Sequence, residues 1–358
     1  MKRRAIEERV LAWISQGVDA VRDDEVFGTL ALELFAYQYQ YGEAYRRLCD
    51  AAGRSPSNVE HWSDIPAVPT GAFKRARFAT FPAEREVRTF RTSGSSLAER
   101  GELHLDTLEL YDASLLATFD AYVCRGSGAL RFVVLAPSAA EAPDSSLSYM
   151  FDRAARLLGS GEPSFPVHAG GWDPERAIAD LEGLRGPAAV VGTAFAFVHL
   201  LDELAARGKR LSLPAGTRVM ETGGFKGRSR ELTREELHAG IERALGVPTS
   251  RIINQYGMCE LASQFYEASL RTGEPSTAKR VPPWVRTRVV DPGTFEDVAP
   301  GETGVLVHYD LANTGSALAV QTSDLGRRLD AGFAVLGRLR GAEERGCSIA
   351  ADVLLASG

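Results

Sequence analysis

Hydrophobic positions at Ile6, Val10, Ile14 and Val18 fall every four residues and predict an opening helix with one apolar face. A second helix is predicted over about 26–49. Its aromatics (Phe35, Tyr37, Tyr39, Tyr41, Tyr45) read as a packing surface in preference to a ligand-stacking face. From 55 to 89 the prolines and turn residues (Pro56, Pro66, Pro69, Gly71, Pro82) predict an extended, ordered connection that ends in a short strand over 87–91. Segments 130–136 and 188–191 then read as buried strands, and 217–220 and 251–255 as further strands. Helices are predicted over 194–207 and from the Thr233/Glu236 capping box to Gly246. This alternation predicts an α/β architecture. After Pro282 the pattern changes to strand-like runs at 285–290, 305–311, 318–321 and 333–336, as in a small, mostly antiparallel β subdomain. The expected organisation is a helical segment 1–54, an α/β core 55–280, a β subdomain 281–336 and a tail 337–358.

Composition narrows the class. The chain has 358 residues, 44% hydrophobic and 25% charged, which are the values of an ordinary globular protein and exclude wholesale disorder. The charge balance is 41 − 47 = −6, against a protein whose main work is gripping nucleic acid or an anionic membrane. The longest nearly apolar stretch, 188–201, contains Gly192, Thr193 and His199 and falls short of the roughly 20 residues of a membrane helix. Glu7, Glu8 and Arg9 stand where a signal peptide needs an apolar run, so a cytoplasmic location is expected. Cys49, Cys124, Cys259 and Cys347 are widely spaced, with no CxxC, and the six histidines form no HExxH; free thiols and no metal-hydrolase site are expected.

The common nucleotide fingerprints are missing. Gly126-Ser127-Gly128 precedes a strand instead of following one, Gly208-Lys209 lacks the rest of a P-loop, and there is no GxSxG. Four segments carry the candidate chemistry. Thr92-Ser93-Gly94-Ser95-Ser96 sets four hydroxyls around a glycine after a strand, suited to phosphate oxygens or to a plain turn. Glu221-Thr222-Gly223-Gly224 ends a buried strand, where α/β sheets bind ligands, and reads equally as a tight turn. Tyr256-Gly257-Met258-Cys259-Glu260 follows another strand. Its Tyr is able to stack a purine and its Glu to ligate Mg²⁺, or the two are a structural Tyr and a solvated Glu. Thr322-Ser323-Asp324-Leu325-Gly326 places a carboxylate between two strands, as a ribose ligand or a backbone cap.

The order and spacing of these segments, with Gly337-Arg338, resemble the phosphate-loop, adenine, ribose and hinge motifs of the adenylate-forming (acyl-AMP) superfamily. The segments 64–74 (DIPAVPTGAFK), 221–237 (ETGGFKGRSRELTREEL) and 344–348 (ERGCS) narrow the resemblance to the acyl-protein synthetase family, the fatty-acid-activating component of the bacterial luminescence reductase complex. It implies the large N-terminal domain of that superfamily with a small β subdomain, lacking the mobile C-terminal domain, since only twenty residues follow Arg338. It also implies that Thr92, Ser93, Gly94, Ser95 and Ser96 would hold the ATP phosphates. Glu221, Thr222, Gly223, Gly224, Tyr256 and Gly257 would line the adenine side, with Gly223 and Gly224 against the base and Tyr256 stacked on it. Glu260 would coordinate Mg²⁺, Asp324 would take the ribose hydroxyls, and Arg338 would contact ribose or phosphate.

Two departures stand out. Leu97-Ala98-Glu99-Arg100 replaces the usual lysine-bearing continuation of the phosphate loop, leaving Arg91 or Arg100 as substitutes, and Cys259 replaces the usual Thr, which bears on its contact with phosphate or substrate. By the same resemblance, Cys347 is the residue that matches the family's acyl-carrying cysteine; a packed, inert C-terminal Cys is the other reading. Residues 190–201 read as a wall of the acyl pocket, with Gly192 and Thr193 opening space and Phe195 or Phe197 bounding it, or as ordinary core. The expected function is ATP- and Mg²⁺-dependent activation of a carboxylic acid, in this family a fatty acid, as acyl-AMP. Transfer to Cys347 and on to a partner such as an acyl reductase would follow. The alternatives are delivery to CoA or a carrier-protein thiol, and a non-catalytic nucleotide-binding subunit.

Overall fold

The computed structural model describes residues 3–92, 100–126, 128, 130–168, 171–223 and 232–339. In chain order they form α1 (Arg3–Ile14), α2 (Asp24–Tyr41), α3 (Glu43–Ala51), β1 (Val68–Pro69), β2 (Arg88–Arg91), β3 (Glu102–Leu105) and α4 (Glu109–Phe119). Next come β4 (Arg131–Leu135), α5 (Ser146–Leu158), β5 (Val167–His168), β6 (Gly171–Trp172), α6 (Pro174–Glu182), β7 (Ala188–Thr193), α7 (Ala194–Ala206), β8 (Arg218–Thr222), α8 (Arg234–Leu245) and β9 (Ile252–Tyr256). The chain ends its described course with β10 (Phe265–Glu267), α9 (Ser269–Thr272), β11 (Lys279–Arg280), β12 (Val285–Val290), β13 (Thr303–Asp310), β14 (Ala319–Leu329) and β15 (Gly332–Arg338).

These elements pack as two units that interleave along the chain, where the sequence pattern suggested consecutive segments. Among the described residues, the first unit takes those up to 117, 257–264 and those from 279 to 339, and the second those within 118–256 and 265–278. In the second unit β4, β7, β8 and β9 run parallel in that order, and β10 returns antiparallel to β9. Strands β4 and β7 are nearly continuous buried apolar runs, as expected of a parallel sheet covered by helices, while β8 and β9 mix buried Val, Met and Ile with polar residues toward their carboxyl ends. Val133, Val190, Val219 and Ile252 meet α6, α7 and α8 in one core, with Phe197 and Leu200 fully buried there. The capping box at α8 forms as predicted: Thr233 Oγ1 accepts from Glu236 N, Glu236 returns the bond, and the left-handed Gly246 closes the helix.

The first unit holds the antiparallel sheet in the order β12-β13-β14-β15-β11. Strand β1 lies parallel to β14, Val68 against Val320. Strands β2 and β3 form a separate hairpin in the register Arg91–Glu102; the short β3 run Glu-Leu-His-Leu was not anticipated.

Three sequence expectations need correction. The opening helix stops at Ile14, and Val18 lies beyond it after a left-handed Gly17. The single helix over 26–49 is two, because Gly42 takes extended backbone and a Cβ there would come within 2.8 Å of Gln38 O. The 322–326 segment is not a connection between strands. It lies inside the eleven-residue β14, which extends well past 321 because β13 and β15 pair along its length.

Candidate active site

In the first unit, β2 and β3 bring the two ends of the candidate phosphate loop together. Thr92 N donates to Gly101 O (2.9 Å), Gly101 N donates to Thr92 Oγ1 (2.8 Å), and Arg100 Nε donates to Thr92 O (2.6 Å). Arg91 is paired with Glu102 at 2.7 Å. Both arginines considered as substitutes for the phosphate-loop lysine thus fasten its neck. Ser93, Gly94, Ser95 and Ser96 lie outside the described residues, as do Gly224 and Cys347.

Glu260 lies beside that neck. A Cβ added at Gly101 would sit 3.5 Å from Glu260 Oε1, 3.4 Å from Thr92 Cγ2 and 3.5 Å from Phe73 Cβ, so the three side chains converge on one glycine. The Glu260 carboxyl is buried, and no other side chain among the described residues donates a hydrogen bond to it. Burial pushes its pKa up to about 7; the nearby charge of Asp324 adds to the rise, while Arg338 and Lys74 oppose it. A carboxylate held this way gains from a hard cation. Mg²⁺ is commonly held by one or two carboxylates plus substrate phosphates, so a single Glu beside a phosphate loop fits that ion. Among the described residues no cluster of three His, Cys, Asp or Glu forms an all-protein metal cage.

The ribose and hinge candidates are brought together by the β14–β15 ladder. Asp324 and Arg338 are cross-strand partners, and Arg338 Nε donates to Asp324 Oδ1 at 3.2 Å. Arg338 is mostly exposed. Gly257 is exposed, and Cys259 is buried with Glu260 in the 257–264 loop.

In the second unit the remaining candidates stand at the carboxyl ends of adjacent parallel strands. Glu221 and Thr222 end β8, Tyr256 ends β9, and Gly192 and Thr193 end β7. Ligands of open α/β sheets bind at such ends. Gly223 follows with φ +80°, and no atom of the described residues lies within 4 Å of where a Cβ would be. Glu221 itself is an internal brace: its Oε1 receives Asn254 Nδ2 (2.7 Å) and lies 3.1 Å from His238 Nε2. Thr222 Oγ1 bonds to Gln255 and is likewise buried. The Tyr256 ring, half-buried, leans on Phe265 with centroids 5.9 Å apart.

The acyl-wall residues divide. Gly192 is required by the sheet, since a Cβ would come within 2.7 Å of Leu135 Cβ. Thr193 is the N-cap of α7, accepting from Ala196 N at 3.1 Å. Phe197 is core, and Phe195 is half-buried against His199. Sequence reasoning assigned no role to Lys74, Gly101, His238 or Asn254. Lys74 had a signal, because it ends the segment 64–74 that narrowed the resemblance.

With this geometry in place, the fold can be compared with solved structures. Two crystal structures of 2-hydroxyisobutyryl-CoA ligase match. One, in an open conformation with 2-HIB-AMP and CoA, has a TM-score of 0.65 and 17% identity over 88% of this chain and 70% of that one. The other, in the postadenylation state with 2-HIB-AMP, has a TM-score of 0.67 and 16% identity over 87% and 68%. The chain therefore has the fold of the adenylate-forming ligases. The family model described as "Acyl-protein synthetase, LuxE" matches residues 183–355. The long-chain-fatty-acid–luciferin-component ligase of Aliivibrio fischeri is 24% identical over 311 residues, 84% of this chain and 79% of that protein. Its Vibrio harveyi counterpart is 22% identical over 303 residues, 81% and 76%. The resemblance read from the motifs, to the acyl-protein synthetases, is borne out by these matches. No helix among the described residues is long and apolar enough to cross a membrane.

Proposed function

We propose that the protein activates a fatty acid with ATP as acyl-AMP, passes the acyl group to Cys347, and delivers it to an acceptor protein such as an acyl reductase. The observation that carries this reading is the buried Glu260 carboxyl beside the Thr92–Gly101 neck, with the Asp324–Arg338 pair in the same unit. The similarity to long-chain-fatty-acid ligases supports the choice of acid, and the family match across 183–355 takes in Cys347.

The chemistry follows from the leaving groups. A carboxylate is a poor acyl donor because it would have to expel oxide. Its oxygen attacks the α-phosphorus of ATP, the bond to the bridging oxygen breaks, and pyrophosphate leaves with the electron pair. The Cys347 thiolate then attacks the acyl carbon, forming a C–S bond as AMP departs with the C–O electrons; the thiol proton goes to solvent. Glu260 and the ATP phosphates would hold Mg²⁺, which supplies positive charge against the repulsion of carboxylate and polyphosphate. Asp324 orients the ribose and Arg338 contacts ribose or phosphate.

Purified protein with ATP, Mg²⁺ and radiolabelled tetradecanoic acid tests the scheme, in parallel with Cys347→Ser. Hydroxylamine-labile label on the wild type and none on the variant, with acyl-AMP formed by both, is the expected result. Acyl-AMP without label on either protein removes Cys347 from the mechanism. A second reading, delivery to CoA, draws on the likeness to a fold crystallised with CoA; acyl-CoA formation that survives Cys347→Ser decides for it.

A further inference from the structure

The loop that carries Glu260 is held by a buried polar network that the chemistry above does not use. Asp310, at the end of β13, is fully buried. Its Oδ2 accepts from the backbone N–H of Ala262 (3.0 Å) and Ser263 (2.7 Å), and its Oδ1 from Ser263 Oγ (2.8 Å) and Ala312 N (3.0 Å). Three residues on, Asn313 Nδ2 donates to the carbonyl of Glu260 itself (2.9 Å) and to Ala317 O (2.8 Å). Gln38 of α2, also fully buried, locks that turn: its Nε2 donates to Asn313 O (2.9 Å) and Thr314 O (3.2 Å), and its Oε1 accepts from Leu318 N (2.9 Å). The segment 260–263 is thus fastened at Glu260 and at the two residues after Leu261, from a turn that is itself pinned to a helix.

The choice of residue at 310 is informative. A carboxylate has about four lone-pair sites and no hydrogen, and here four donors occupy it. An Asn of the same shape would set its NH₂ against an N–H or O–H. No cation among the described residues pairs with Asp310, so its charge is carried by hydrogen bonds alone. Burial pushes its pKa up to about 6, with the bonds from Ser263, Ala312 and Ala262 pulling the other way. Burying an unpaired charge is costly, and β13 needs none to pair with its neighbours.

We infer that Asp310 and Asn313 are positioning residues that fix the Glu260 carboxylate for the metal of the bound nucleotide. The inference rests on the reading that Glu260 binds that metal. It adds that the affinity for the ion is set by the β13–β14 turn as much as by the ligand residue.

The test uses full-length wild type, Glu260→Gln, Asp310→Asn and Asn313→Ala. Binding of a fluorescent ATP analogue is titrated with Mg²⁺, free Mn²⁺ is followed by electron paramagnetic resonance, and thermal unfolding is recorded beside them. Asp310→Asn and Asn313→Ala are expected to raise the half-saturating metal concentration at least tenfold while leaving metal-free nucleotide binding within about twofold. Asn313→Ala keeps the Asp310 charge network and serves where Asp310→Asn does not fold. A lower melting temperature with an unchanged metal midpoint in the folded variants overturns the inference and leaves the network structural. A midpoint unchanged in Glu260→Gln as well overturns both the inference and the metal-binding reading of Glu260.

Discussion

Replacing Glu260 by Gln should stabilise the metal-free protein at alkaline pH while abolishing adenylate formation. The carboxyl is buried, and burial lifts its pKa from the ordinary 4.5 to about 7. A carboxyl that binds its proton more tightly in the folded state favours folding fully below the unfolded pKa, and this contribution is lost as pH rises through the folded one. At about 1.4 kcal/mol per pH unit between the two values, ionised Glu260 costs about 3 kcal/mol at pH 8 and under about 1 kcal/mol at pH 5. Gln keeps the shape and carries no charge, so its advantage over Glu grows by about 2–3 kcal/mol across that interval. Urea denaturation of both proteins at pH 5 and pH 8, without metal or nucleotide, measures the difference. Mg²⁺ added to the ATP-bound protein should then stabilise the wild type further by mass action and leave ATP-bound Glu260→Gln nearly unchanged. A stability difference independent of pH, or a Gln variant less stable than wild type at pH 8, refutes the argument that burial sets the protonation of this site.

Two further outcomes follow from other parts of the molecule. Arg338→Ala removes the 3.2 Å partner of Asp324 and a cation near Glu260, and should raise KM for ATP in pyrophosphate exchange roughly tenfold while the protein remains folded, since the side chain is exposed; an unchanged KM removes Arg338 from the nucleotide site. Gly192→Ala drives a methyl to within 2.7 Å of Leu135 Cβ between two parallel strands and should cost about 1–3 kcal/mol in chemical denaturation; no loss would mean that β4 and β7 separate freely.

The parallel half of the fold was legible because each strand holds a core of adjacent apolar residues and its helices carry local punctuation. The Thr233–Glu236 pair needs only neighbours three residues apart, and it forms as read. The break at Gly42 was harder, since the residues on both sides continue a helical composition and the interruption is one glycine in extended backbone, where a Cβ would crowd Gln38 O. Strand β14 was cut short for a related reason. Its polar run Gln-Thr-Ser-Asp looks like a turn, yet pairing with β13 and β15 keeps it extended.

The candidate site shows the same division between local and non-local signals. Most of the candidate ligand-binding residues sit in short segments at or just after strand ends, where a glycine, a hydroxyl or a carboxylate is conspicuous among its neighbours; Gly223, Tyr256 and Glu260 were marked in that way, and Asp324 by the polar run inside β14. Residues that hold those segments are conspicuous only in three dimensions. Gln38 lies 275 residues from Asn313, and Asp310 lies 47 residues from Ser263. In sequence the first is a polar position in an aromatic helix and the second the end of a strand. What distinguishes them is burial with hydrogen bonds to backbone groups far away in sequence, and no periodicity encodes such matching. A carboxylate used for chemistry must pay for desolvation with a ligand, whereas one used for support is satisfied before any ligand arrives. Glu260, buried with no side-chain donor among the described residues, and Asp310, buried with four donors, are on opposite sides of that line, and this contrast is the ground for proposing the first as a metal ligand and the second as its support.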